Sequence, residues 1–384
     1  MASTSSAKLK CLCGSISEPG ALLSNLEFPL SLEICHCNPC RQTTGSLGAV
    51  FPALNSSPSK DTLSKLTAYH SSEIIIRYFC STCGCSCFVY NQKRNEWFSL
   101  GGIIEPSPSF EGNNATRPRD IVKVSRHDFV LDTVDGGLVP ILLNLNGRSI
   151  PTWSAAAGLD HEPDSFDLSH ASVLSLPKKS IGEVSPPKED SYLTAKCHCE
   201  GVSLLIKRAN FSSNPGDEAP RQAPTDPTKY PAYFCACRSC RLSSGVSMVP
   251  FALIPTTSIF NANAPALIDN SSSSSVQKVK PLTYGHASSD SNSNPGLTLK
   301  HHWSSPDTCR SFCGKCGATV SYWCNKRPDG LDLAVGILRS EEGSMARRWL
   351  QWEWGQCSFQ EECIDRELCD AWLGSKSVME KIDG

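Results

Sequence analysis

The 384-residue sequence has no apolar run approaching the roughly 18 residues that a membrane-spanning helix requires. Residues 1–10 are polar and lack the apolar core of a secretory signal, so cytoplasm is the expected compartment, with the nucleus as the other choice. There is no five-residue run of Lys and Arg, and the net charge is -2. Phosphate backbones and anionic membrane surfaces are bound by clustered cations, so neither is an expected partner. No phosphate-binding glycine loop, haem or flavin signature, or Ser-His-Asp order is present. Long amphipathic helical periods are scarce, which excludes a helical bundle.

Cysteine, by contrast, is abundant, at 21 residues. In a reducing compartment this reads as metal binding rather than disulfides, and the odd total fits a full disulfide framework poorly. Fourteen of the cysteines form one pattern written twice. The first copy is Cys11 and Cys13, then Cys35, Cys37 and Cys40, then Cys80 and Cys83 followed by Gly84. The second is Cys197 and Cys199, then Cys235, Cys237 and Cys240, then Cys313 and Cys316 followed by Gly317. In each copy C-x-C, C-x-C-x-x-C and C-x-x-C-G follow in the same order.

Seven thiolates divide into a closed set of four and an open set of three. Zinc with four protein ligands is structural, whereas three ligands leave a coordination position for something else. Residues two apart on a strand share a face, and C-x-x-C-G is a turn whose glycine permits a positive φ. Cys11, Cys13, Cys80 and Cys83 therefore make one four-sulfur site, and Cys197, Cys199, Cys313 and Cys316 the other. Cys35, Cys37 and Cys40, and likewise Cys235, Cys237 and Cys240, lie close enough to share an ion. Their fourth position is open to water, a small thiol or a distant side chain. Arg41 and Arg241 follow the last cysteine of each triad and are candidates to hold an anionic substrate or cofactor. His36 and His198 sit inside C-x-C motifs and point away from the sulfurs, so they are not expected as ligands. His127, His301 and His302 are candidates to complete a triad. Cys85, Cys87, Cys309, Cys324, Cys357, Cys363 and Cys369 lack repeat partners and read as small apolar residues.

Short runs rich in β-branched and aromatic residues, at 73–79, 87–90, 97–100 and 121–124, read as strands. The expected architecture is mostly β: two zinc-stapled modules in tandem with a short C-terminal helix. The first spans residues 8–157, a flexible linker 158–190, the second module 191–357 and the helix 358–384. The second module carries two polar inserts, at about 210–229 and 261–295, that read as mobile loops.

With Phe79 before Cys80 and Phe312 before Cys313, the motif set resembles the glutathione-dependent formaldehyde-activating enzyme and centromere protein V domain family. The resemblance covers both modules and implies a β-tent fold. It also implies a structural zinc at the C-x-C and C-x-x-C pairs and a second zinc at each triad, up to four per chain. The founding activity is condensation of glutathione with formaldehyde, classed with carbon–sulfur lyases. The implied function is therefore zinc-dependent carbon–sulfur lyase-like chemistry on a small thiol and an aldehyde, with the six triad cysteines as catalytic residues. Three anionic sulfurs make zinc a weak Lewis acid, which suits thiol activation better than water activation. The alternative is a non-catalytic zinc-stabilised scaffold that binds a protein partner. The chain departs from the simple family pattern in being a tandem with long inserts, and it lacks the basic character of a chromosome-associated member.

Overall fold

The computed structural model describes residues 7–106, 120–156, 165–211, 224–263, 280–283 and 294–383. The predicted runs become strands. In the first module Leu66–His70, Ile75–Cys80, Ser86–Asn91 and Glu96–Ser99 form an antiparallel meander. Leu30–Cys35 pairs in parallel with Val122–Asp128, and Ala7–Lys10 lies between Ser17–Pro19 and Ile104–Pro106. The second module repeats this plan. Its meander, Leu299–Ser305, Thr308–Cys313, Thr319–Cys324 and Gly330–Ala334, continues through Val249–Pro255 and Tyr230–Cys235 to Leu350–Ser358. The last pair is again parallel, as in the first module.

No sheet crosses from one module to the other among the described residues, yet the apolar interior does. One buried cluster takes in Leu9, Phe88 and Ile103 of the first module and Ala195, Phe234 and Leu333 of the second. The two F-C-x-x-C-G turns interlock at the centre. The Phe79 and Phe312 rings meet edge to face, with centroids 6.4 Å apart. A Cβ on Gly84 would fall 2.2 Å from Phe312 Cγ, and one on Gly317 would fall 2.4 Å from Phe79 Cγ. Each of these glycines also has φ near +78° (+78° and +77°), the left-handed region that disfavours a side chain. The motif glycine therefore serves its own turn and seats the other module's phenylalanine.

One sequence expectation needs correction, and another is refined. Within the supposed linker, His170–Glu183 is a 14-residue helix. Ser169 caps it by accepting from the Ser172 N–H, and Val173 packs with Val130, Val139 and Leu143. Its buried face is Val173, Pro177 and Ser180, correctly spaced for a helix but too polar to register as apolar periodicity. Residues 157–164 lie outside the described residues.

The expected C-terminal helix is present and is divided at Gly374 into Arg366–Leu373 and Ser375–Asp383. The preceding Leu350–Ser358 strand reaches into the supposed helix, and Phe359 is left-handed at φ +57° and exposed. Trp372 anchors the pair of helices against Phe234, Trp352 and Trp354. Of the two inserts, residues 212–223, 264–279 and 284–293 lie outside the described residues, and Lys280–Pro281 adds a short strand beside Ile259–Asn261.

Candidate metal centres

The C-x-C and C-x-x-C pairs of each module converge as the spacing predicts. Cys11, Cys13, Cys80 and Cys83 have their sulfurs within 4.8 Å of one another, and so do Cys197, Cys199, Cys313 and Cys316. Sulfur separations are 3.5 Å for Cys11–Cys13, 3.6 Å for Cys13–Cys80, 3.6 Å for Cys197–Cys199 and 3.5 Å for Cys199–Cys313. Tetrahedral Zn–S bonds of about 2.3 Å place sulfurs about 3.8 Å apart, so the set fits zinc with a small adjustment. Backbone N–H groups already point at the sulfurs: Ile16 donates to Cys11 and Val202 to Cys197, at 3.4 and 3.3 Å. Hydrogen bonds from Cys11 and Cys13 hold Cys80 far below the thiol range, while the same neighbours drive Cys83 up. Cys313 and Cys316 divide likewise. Four crowded thiols can ionise together only around a cation, which is the chemistry expected of a structural zinc site.

The triads have a different construction. Cys37 and Cys237 are the N-caps of short helices, Asn38–Thr44 and Arg238–Ser244, and accept from the N–H of Cys40 (3.4 Å) and Cys240 (3.3 Å). The helix N-terminus favours negative charge at the cap. Cys35 and Cys235 reach the same point from the end of the preceding strand, and each set of three sulfurs lies within 4.8 Å. A left-handed glycine, Gly45 or Gly245, ends each helix. The three sulfurs converge closely enough to share one ion, and among the described residues no fourth Cys, His, Asp or Glu joins either triad.

One group that sequence reasoning missed acts on each triad. Arg77 donates from Nη2 to Cys40 Sγ at 3.3 Å, and Arg310 from Nη1 to Cys240 Sγ at 3.4 Å. Hydrogen bonds from Cys35 and Cys37, with Arg77 beside them, hold Cys40 well below the ordinary thiol range. A divalent cation with three thiolates keeps one negative charge, and the arginine supplies the opposite one. The signal was present: both copies read Arg-x-Phe-Cys at the last motif.

Arg41 and Arg241 are buried, with donors directed at the protein, although Arg241 Nε is left without a hydrogen-bond partner. Arg41 donates to His36 O, Asn38 Oδ1 and Asp132 O, while Arg241 donates to Gly102 O, Ile104 O and Glu105 Oε2. These contacts tie each triad helix to its surroundings rather than offering a guanidinium to a ligand.

Among the described residues no histidine joins a triad. His36 is fully buried and spans Leu47 O (3.1 Å) and His127 Nδ1 (3.1 Å), with His127 continuing to Leu142 O at 3.3 Å. Burial pushes His36 down to about 4 and His127 to about 3, so both are neutral at pH 7. His198 meets Tyr69 Oη at 2.7 Å, and His301 meets Ser311 Oγ at 2.8 Å. His302 is half-buried on the same strand. Cys85 and Cys87 pack in the core, as their lack of repeat partners suggested. Cys363 and Cys369 are buried beside Ala236, with Cys357 packed against them, at the place corresponding to the His36–His127 pair.

Fold and site together define a mostly β protein with two four-thiol and two three-thiol centres suited to zinc. Residues 6–115 match the family described as glutathione-dependent formaldehyde-activating enzyme. The matched span holds all seven thiols of the first module's two metal centres. No curated protein matches the chain. Among the described residues no helix is long and apolar enough to cross a membrane.

Proposed function

We propose that the protein joins a small thiol to an aldehyde, and splits the adduct in reverse, at a three-cysteine zinc centre. Glutathione and formaldehyde are the pair suggested by the family description. The observation that carries this reading is the open set of three sulfurs on a helix N-terminus, with an arginine on one of them. Zinc held by Cys35, Cys37 and Cys40, or by Cys235, Cys237 and Cys240, would lower the pKa of an added thiol and so supply a nucleophile at neutral pH. The chain's own groups do the rest. The cap position of Cys37 and the Arg77 donor stabilise negative charge at the site. The buried, neutral His36–His127 pair fixes the backbone between Cys35 and Cys37. In the reaction the thiol sulfur bonds to the carbonyl carbon, and the carbonyl oxygen takes up the proton the thiol lost, giving a hydroxymethyl thioether. The cytoplasm, where such thiols are plentiful, is the proposed compartment.

The test is native mass spectrometry of the full chain purified without chelator, with and without glutathione, alongside exchange NMR of the formaldehyde adduct. Four zincs and a glutathione complex that Cys37→Ser or Cys237→Ser removes, with accelerated exchange, support the proposal. Only two zincs, with no thiol bound and exchange at the uncatalysed rate, would favour a zinc-stabilised scaffold instead.

A further inference from the structure

The two triads are related by the repeat, so their surroundings can be compared position by position. Each triad helix is touched by the other module in the same way. The middle residue of the second C-x-C, His198, donates its N–H to Gln42 O, and Leu12 of the first C-x-C donates its own to Leu242 O. Gly336 N–H bonds to Gly45 O, and Gly102 N–H to Gly245 O. The residue three beyond the turn glycine is Arg339 in one case and Glu105 in the other. On the meander strand, Tyr69 is the register partner of Arg77, and His302 that of Arg310. Each site is thus walled partly by the other module.

The walls differ in charge. At the first triad stand Arg77 and the hydrogen-bonded pair of Tyr69 and His198, with Arg339 beyond them beside Lys196 and Arg41. Arg339 donates from Nη2 to Lys196 O and, at a longer 3.4 Å, from Nη1 to Leu338 O, and burial together with nearby Arg41 lowers its guanidinium to about 10. The His198 ring meets Tyr69 edge on, with centroids 5.7 Å apart and its Nδ1 2.7 Å from Tyr69 Oη. The carboxylates are Asp132, which accepts from the Asn38 N–H at 2.8 Å, and Glu200, which acts on Arg339 and pairs with Lys196 at 3.4 Å. At the second triad Leu12 replaces His198, His302 replaces Tyr69, and Glu105 replaces Arg339. Arg238, in the place of Asn38, is neutralised by Glu105 at 3.0 Å, and Glu362 accepts from its N–H at 2.7 Å. The first wall therefore sets Arg77 and Arg339 against Asp132 and against a Glu200 already paired with Lys196, whereas at the second Glu105 and Glu362 face Arg310 and Arg238. Cys35 is also half-buried, whereas Cys235 is buried.

We propose that the first triad is the one that takes an anionic thiol, with Arg339 and His198 of the second module as specificity residues for its carboxylates. The second triad, with an acidic residue at the position of Arg339, is not a site for such a ligand. The inference rests on the thiol-handling reading above. It makes the tandem a single functional unit, because the first module alone lacks half of its wall.

The experiment uses the full chain loaded with cobalt(II), whose visible bands change when a further thiolate coordinates. Glutathione and cysteamine, a thiol without carboxylates, are the two probes. Titrations cover the parent, Cys37→Ser, Cys237→Ser, Arg339→Gln and Arg339→Lys, with metal content confirming that each variant folds. Glutathione should perturb the parent and Cys237→Ser but not Cys37→Ser. Arg339→Gln should weaken glutathione about tenfold to a hundredfold, the value of a charge-assisted contact. Cysteamine binding should not change, and Arg339→Lys should recover part of the loss. Glutathione binding lost in Cys237→Ser and kept in Cys37→Ser would overturn the assignment while leaving the thiol reading intact. Equal losses for both probes in Arg339→Gln would reduce Arg339 to a structural part and overturn its specificity role. Binding of neither probe to the parent would refute the thiol reading itself.

Discussion

Replacing Gly84 with alanine tests the interlock of the two modules directly. The new Cβ meets two obstacles of different origin. One is local: Gly84 has φ +78°, where an alanine costs on the order of 1 kcal/mol. The other belongs to the opposite module, since the Cβ would lie 2.2 Å from Phe312 Cγ and the ring must move. Overpacking of that kind costs about 1–3 kcal/mol, giving about 2–4 kcal/mol in all. Phe312→Ala alone removes a ring that is 3% exposed and should cost about 3–5 kcal/mol. In the double variant the collision disappears, so Gly84→Ala should then cost only its local 1 kcal/mol or so. Chemical denaturation of the four zinc-loaded proteins, with zinc content as a control, gives the cycle. If Gly84→Ala costs as much without Phe312 as with it, the glycine does not seat that ring and the interlock is wrong.

Other outcomes follow from the same geometry. Stripping zinc with a strong chelator should abolish cooperative unfolding of both modules, because structural zinc contributes about 10–16 kcal/mol, comparable to a domain's whole stability; circular dichroism reads this. Arg77→Leu should weaken metal binding at the first triad about tenfold to a hundredfold, as loss of a partner behind a ligand generally does. A chromogenic chelator should then remove one zinc early and leave the four-thiol sites unchanged. Trp372→Ala, at a side chain 2% exposed beside Phe234, Trp352 and Trp354, should cost about 3–5 kcal/mol and alter tryptophan fluorescence without changing zinc content.

The metal centres were legible in the sequence because their ligands come in local pairs and triplets. C-x-C and C-x-x-C fix two sulfurs by chain geometry alone, and repetition of the order says which pairs belong together. Arg77 and Arg310 were not found, although both copies carry Arg-x-Phe-Cys. They reach the triads from a strand about 40 or 70 positions away in sequence, a distance that no local spacing rule spans. Arg41 and Arg241 misled for the opposite reason. Adjacency to a ligand along the chain places them on the helix face that turns inward, where they meet backbone carbonyls. The helix His170–Glu183 was hidden by its composition, with Pro177 and Ser180 occupying buried positions. At the C-terminus, apolar spacing carried the predicted helix back through Phe359, which lies in a left-handed turn instead.

Duplication within one chain gives this architecture something that two copies of one module could not have. In a symmetric pair, each triad helix would be walled by the same knuckle, the same turn and the same strand. Any residue favourable to a ligand at one site would be repeated at the other. Here the contacts that hold the helices are preserved as backbone hydrogen bonds, from His198 or Leu12, and from Gly336 or Gly102. Backbone bonds leave the side chains at those positions free to differ. Histidine stands against leucine, and arginine against glutamate, without disturbing the packing that joins the modules. Glu105 binds Arg238 and Arg241, so the same residue that removes positive charge from the second wall also fastens that helix. The fold can thus keep one triad as a rigid support while the other, with both Cys35 and Cys37 part-exposed, faces a different set of side chains.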